Sequence, residues 1–194
     1  MATYRINLDN IRITDTLSHH EDTDFVALAV RVGNRSATMI PPTIPQSMGD
    51  VNNGIHQVNI SHTIDVPEGE GITFGYMVVN SGNTNPQPAF NKLMDLVNDT
   101  KMDSANGDVN TKKDDSGKGW LETLVTLGLI RIADWLSSFF RDCDGTAALD
   151  AIAVSSRTLH EWTQNTGSFT QERPYKAKTC RDSQYYVKWT ITRL

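Results

Sequence analysis

The chain has little of several things. Only two of its 194 residues are cysteine and seven are proline, so it is neither a disulfide-dense scaffold nor a proline-rich extended one. It has no stretch of eighteen uncharged apolar residues, which speaks against a constitutive membrane span. Basic residues are not in excess. Eighteen Lys and Arg face 23 Asp and Glu, a net charge of −5, and that balance argues against a charge-driven nucleic-acid partner. The opening Met1-Ala2-Thr3-Tyr4-Arg5 lacks a basic-then-apolar run, so a cytoplasmic location is the default expectation. Catalytic signatures are missing as well. There is no G-x-S-x-G, no phosphate-cradling glycine loop, no H-E-x-x-H and no C-x-x-C.

Period-two alternation dominates the first eighty residues and predicts half-buried strands. In Tyr4-Arg5-Ile6-Asn7-Leu8 the even positions are apolar, but after Asp9-Asn10 the apolar positions are Ile11 and Ile13. A phase slip of one residue marks a bulge or bend. Phe25 to Val32 is apolar on both parities, as a strand covered on both faces would be. From Ile55 to Val66 the alternation is cleanest. Pro67-Glu68-Gly69-Glu70-Gly71 then leads into Ile72 to Val79, and the pair is expected to form an antiparallel hairpin. Further strands are expected at Ala147 to Val154, near Ser168 to Arg173, and at Gln184 to Thr192.

The middle of the chain differs in kind. Phe90, Leu93, Met94 and Val97 fall at helical spacing behind Pro88. Residues 100–119 are rich in Asp, Lys, Asn, Ser and Gly and predict a mobile loop. Trp120 to Phe140 reads as a second, strongly amphipathic helix. The fold expected is mainly β: a single domain over residues 1–194, an antiparallel β-sandwich carrying a two-helix insertion at about 83–142.

Acidic residues gather in strand-end loops. Asp15, Glu21, Asp22 and Asp24 lie in one, and Asp142 and Asp144 in another, with Asp150 beyond. If both loops meet at one end of the sandwich, their oxygens suit Ca²⁺, which takes six to eight such ligands. Turn and cap chemistry alone also explains acidic loops. His19 and His20 share the first loop and His56 and His62 one strand face, but their spacing is poor for a common zinc. A hydrolase using His19 or His20 with the nearby carboxylates is a further alternative. The apolar arc of the second helix, including Leu121, Leu124, Ile132, Trp135 and Phe139, needs a partner. That partner is its own sandwich, a second copy of the chain, or a membrane surface. Cys143 and Cys180 are compatible with either a disulfide or two free thiols.

Residues 15–25, Asp-Thr-Leu-Ser-His-His-Glu-Asp-Thr-Asp-Phe, are similar to a T-R-S-x-H-x-D-T-D-[YF] element, with Leu17 in place of the arginine. Residues 142–147, Asp-Cys-Asp-Gly-Thr-Ala, are similar to a C-D-G-P-V-A element, with Thr146 in place of the proline. Together these segments resemble a family of uncharacterised bacterial β-sandwich proteins. The stretches at Val51–His56 and Val78–Gly82 fit the same pattern, and the helical insertion does not. The resemblance implies a sandwich fold and a microbial origin. It implies no activity and no catalytic residue. The reading that follows is a non-catalytic binding or assembly module, with Ca²⁺ as candidate ligand.

Overall fold

A computed structural model describes residues 1–17, 22–33, 45–82, 84–99, 136, 139, 140, 144–178 and 182–194. Eight strands and two helices are described in full: β1 (Ala2–Asp15), β2 (Asp22–Val32), β3 (Gln46–Val51), β4 (Gly54–Val66), β5 (Ile72–Asn80), α1 (Gln87–Asp99), β6 (Gly145–Val154), α2 (Ser156–Thr163), β7 (Ser168–Lys178) and β8 (Asp182–Arg193). The strands make two antiparallel sheets, ordered β4-β1-β8-β7 and β3-β2-β5-β6. The protein is an antiparallel β-sandwich with a helical insertion between β5 and β6.

Inward side chains of both sheets form the main core. Ile6, Leu8, Ile11 and Ile13 of β1 and Tyr185, Val187, Trp189 and Ile191 of β8 meet Val26, Leu28 and Val30 of β2 and Phe74, Tyr76 and Val78 of β5. The slip at Asp9-Asn10 is real. Pairing with both β4 and β8 shifts register between Leu8 and Asn10, so the second half of β1 keeps its isoleucines inside. The bulge is tied down by polar contacts, for Thr190 Oγ1 donates to Asp9 Oδ2 at 2.7 Å and Asn7 Nδ2 donates to the other Asp9 oxygen.

The second sheet is covered twice, which explains why β2 is apolar on both parities. Its other face, with Ala27, Ala29, Met77 and Val79, packs against Ala89, Phe90, Leu93 and Val97 of α1. Helix and sheet touch most closely at Gly75. A Cβ there would lie 2.8 Å from Val97 Cγ2 and 3.0 Å from Leu93 Cδ1, so only glycine lets the helix seat this deeply. Arg31 of β2 reaches the end of α1 and donates to the Asn98 carbonyl. A cation from the sheet thereby caps a helix that has no basic residue in its own last turn.

The expected hairpin between β4 and β5 does not form. The turn after β4 carries the chain from one sheet to the other, β4 pairing with β1 and β5 with β2 and β6. The physical reason lies in the burial patterns. All nine residues of β5 are buried, whereas β4 alternates; the first needs cover on both faces and the second on one. Two elements lie outside the expected set. The short β3 has few strand-forming side chains and owes its conformation to backbone pairing with β2. Helix α2 begins at the Ser155 cap, whose hydroxyl accepts from Thr158 N at 3.1 Å. It buries Leu159 and stacks Trp162 on Phe169 with ring centroids 4.1 Å apart. These rings continue through Trp189 to Phe74, closing one end of the sandwich.

Candidate functional site

The opposite end gathers the acidic residues. Asp24 of β2 stands opposite Asn80 of β5, and Asn80 opposite Gly145 of β6, so the first acidic segment, the exit of β5 and the second acidic segment are neighbours. Ser81 N donates to the Thr23 carbonyl at 2.9 Å, and Gly82 N donates to Asp144 Oδ1 at 3.0 Å. Asp50, at the end of β3, accepts from Thr23 Oγ1 at 2.7 Å; it was not among the residues singled out by sequence. Asp24 and Asp144 are buried and Asp15 is exposed. Asp15 ends β1 in the other sheet, opposite Gln184, and with Lys176, Asp182 and Ser183 lines an open cleft of about 410 Å³. Asp22 opens β2 opposite Val51. Glu21, Asp142, His19 and His20 lie outside the described residues. Among the described residues, no three His, Cys, Asp or Glu side chains converge as a metal requires.

Asp150 sits elsewhere. It is not part of the acidic end but lies inside β6, paired with Tyr76 of β5 and pointing between the sheets. There it joins Arg173 and Tyr175 of β7, across the open edge of the sandwich. Its Oδ2 accepts from Tyr175 Oη at 2.8 Å, from Tyr76 Oη at 3.4 Å and from Arg173 Nη1. The two phenol oxygens also hydrogen-bond to each other, and their rings meet edge to face at 6.1 Å. Oδ1 accepts from Ala151 N at 2.9 Å. A buried carboxylate is tolerable only when paired and hydrogen-bonded, and this one is. Burial and the adjacent carboxylate push both phenols above the usual tyrosine range, Tyr175 also feeling Tyr76. Burial opposes the Arg173 charge, but the attraction and hydrogen bonding of Asp150 outweigh it and raise its pKa. The cluster links edge strands of different sheets through hydrogen bonds among its own side chains. A signal for it did exist in the sequence, for Asp150 stands alone in the apolar run Ala147 to Val154.

Among the described residues, His56 and His62 each take their own backbone partner. His56 Nε2 donates to the Asn52 carbonyl at 2.7 Å. His62 Nε2 donates across the sandwich to the Leu28 carbonyl at 3.3 Å. Burial lowers the His62 pKa, opposed by that hydrogen bond.

Of the apolar arc expected on the second inserted helix, Leu121, Leu124, Ile132 and Trp135 lie outside the described residues, as do the 100–119 loop and both cysteines. Phe139 is helical and, with Leu136 and Phe140, packs on the cluster formed by α1 and the outer face of β2 and β5. Among the described residues no helix is long and apolar enough to cross a membrane. No family model matches the chain, and no curated protein matches it.

Proposed function

We propose that the chain is a non-catalytic binding or assembly module whose binding end is the acidic one, with Ca²⁺ as the candidate ligand. One observation carries this reading. The β2–β5–β6 register sets Asp24 and Gly145, the residue after Asp144, on either side of Asn80, at the end of the frame where β1 also delivers Asp15. Strand ends of a two-sheet frame hold oxygen ligands at defined separations, as the many-oxygen shell of Ca²⁺ requires. The hydrogen bond from Gly82 N fixes the orientation of the Asp144 carboxylate at this end.

Thermal unfolding of the full chain in EDTA and then in millimolar Ca²⁺ tests the proposal. Binding to the folded state alone adds about 2.7 kcal/mol at a hundred times Kd, so the midpoint should rise clearly. Asp15→Asn and Asp144→Asn should each shrink the rise. An unchanged midpoint in millimolar Ca²⁺ overturns the calcium assignment.

A further inference from the structure

Asn52 and Asn53 alone carry the chain from β3 in one sheet to β4 in the other. The link crosses at the acidic end, since Val51 stands opposite Asp22 of β2 and Gly54 opposite Ile13, near the end of β1. Asn52, Asn53 and Gly54 are all exposed. Gly54 has φ of 152°, a backbone conformation that side chains rarely adopt, so the crossing calls for glycine there. The consequence is chemical. The side-chain carbonyl carbon of an asparagine lies within reach of the backbone nitrogen of the next residue, and a side chain on that next residue is what hinders their approach. Glycine has none.

We propose that Asn53 is a site of spontaneous deamidation, which adds a carboxylate to the acidic end as the protein ages. The Gly54 backbone nitrogen gives up its proton and bonds to Asn53 Cγ, closing a cyclic succinimide. The Cγ–Nδ2 bond breaks, and the amide nitrogen leaves with that proton as ammonia. Water then opens the ring at either carbonyl and leaves aspartate or isoaspartate. One water is consumed, one ammonia is released, and nothing is oxidised. Nucleophile and electrophile belong to adjacent residues, so the step is intramolecular and needs no second reactant to be brought up. Gly54 is also the first residue of β4, where a ladder opens at least cost and the peptide gains the freedom that ring closure requires. Asn59 provides the contrast. It is exposed too, but it precedes Ile60, whose branched side chain obstructs the attack. The other Asn-Gly pair of the sequence, Asn106-Gly107, lies outside the described residues. Conversion of Asn53 gives the chain one more negative charge than its −5, at strand ends that already carry Asp22 and Asp50. The isoaspartate product also lengthens the backbone of the link between the sheets. The reaction needs no metal and does not depend on the calcium reading.

Incubation of the full folded chain in warm neutral buffer with EDTA provides the test, read by peptide mapping with mass spectrometry and by enzymatic methylation of isoaspartate. The peptide holding Asn53 should gain the mass of an NH2-to-OH exchange and become a methyl acceptor, at least about tenfold faster than the peptide holding Asn59. Asn53→Gln, whose longer side chain disfavours the ring, should leave that peptide unmodified. The same chain unfolded in guanidinium supplies the unhindered rate, and conversion in the folded chain should lie within about tenfold of it. A folded rate slower than that shows that the fold shields the site and overturns the proposal. So does conversion at Asn53 no faster than at Asn59.

Discussion

Replacing Asp150 by alanine removes the acceptor shared by Arg173, Tyr175 and Tyr76. The guanidinium and two phenols are then left between β6 and β7 without their common partner. Removing one member of a buried ion pair costs about 3–5 kcal/mol. The side chains of Asp150 and Arg173 retain 10% and 22% of their exposure, so water partly relieves the orphaned cation and the lower end, about 3 kcal/mol, applies. For a chain of this length each kcal/mol moves the midpoint by about 2–4 °C, which makes the expected drop in Tm roughly 6–12 °C. Denaturant unfolding should show a lower midpoint with an unchanged slope, because the surface exposed on unfolding hardly changes. Tyr175→Phe, which removes the donor to the same oxygen and the bond to Tyr76 but leaves the ion pair, should cost only about 1–2 kcal/mol. The double variant Asp150→Leu/Arg173→Met should recover most of the loss, since an apolar pair needs no compensation. A loss below about 1 kcal/mol for Asp150→Ala would refute the clamp. A double variant as unstable as the single one would assign the cost to packing and not to the stranded charge.

The same physics makes other outcomes checkable. Gly75→Ala should destabilise by about 1–3 kcal/mol, because the new Cβ meets Val97 and Leu93; in hydrogen exchange, protection should fall first in α1. Both clamp phenols have raised pKa values in the fold, so the folded state holds protons that the unfolded chain releases above its ordinary value of 10.0. Stability should be fully present below that pH and decline above it, and Tyr175→Phe should flatten the decline in alkaline unfolding curves. His62 behaves in the opposite sense. Its pKa is lowered from 6.5, so the unfolded chain takes up a proton first and stability falls as pH drops below about 6.5. His62→Gln should reduce the slope of that acid limb in urea titrations; an unaltered slope would remove His62 as its source.

Much of the strand architecture was legible because burial imposes a period that the residues display. The slip at Asp9-Asn10, the two-faced run from Phe25 to Val32 and the alternating final strand all correspond to observed features, as does the helix around Phe90, Leu93 and Val97. Strand partners do not follow from proximity along the chain. The segment after Val66 looked like a hairpin turn, although Tyr76, Met77, Val78 and Val79 in the next strand already disclosed a more deeply buried neighbour. Gln46–Val51 escaped because an edge strand held by backbone pairing needs no side-chain pattern. Sequence distance places Asp150 with Asp142 and Asp144, yet the end of a strand and its interior face different surroundings a few residues apart.

Local periodicity therefore determined which residues turn inward, where β1 kinks and that the chain would be a sandwich with an inserted helix, since these depend on side chains a few positions apart. Which strands share a sheet, which acidic residues meet at one end, and that Asp150 joins residues 74 and 25 positions away were decided by tertiary structure alone. The reason is that alternation specifies that a face must be covered and carries no address for what covers it. That choice is made only when two sheets and a helix compete to bury their surfaces together.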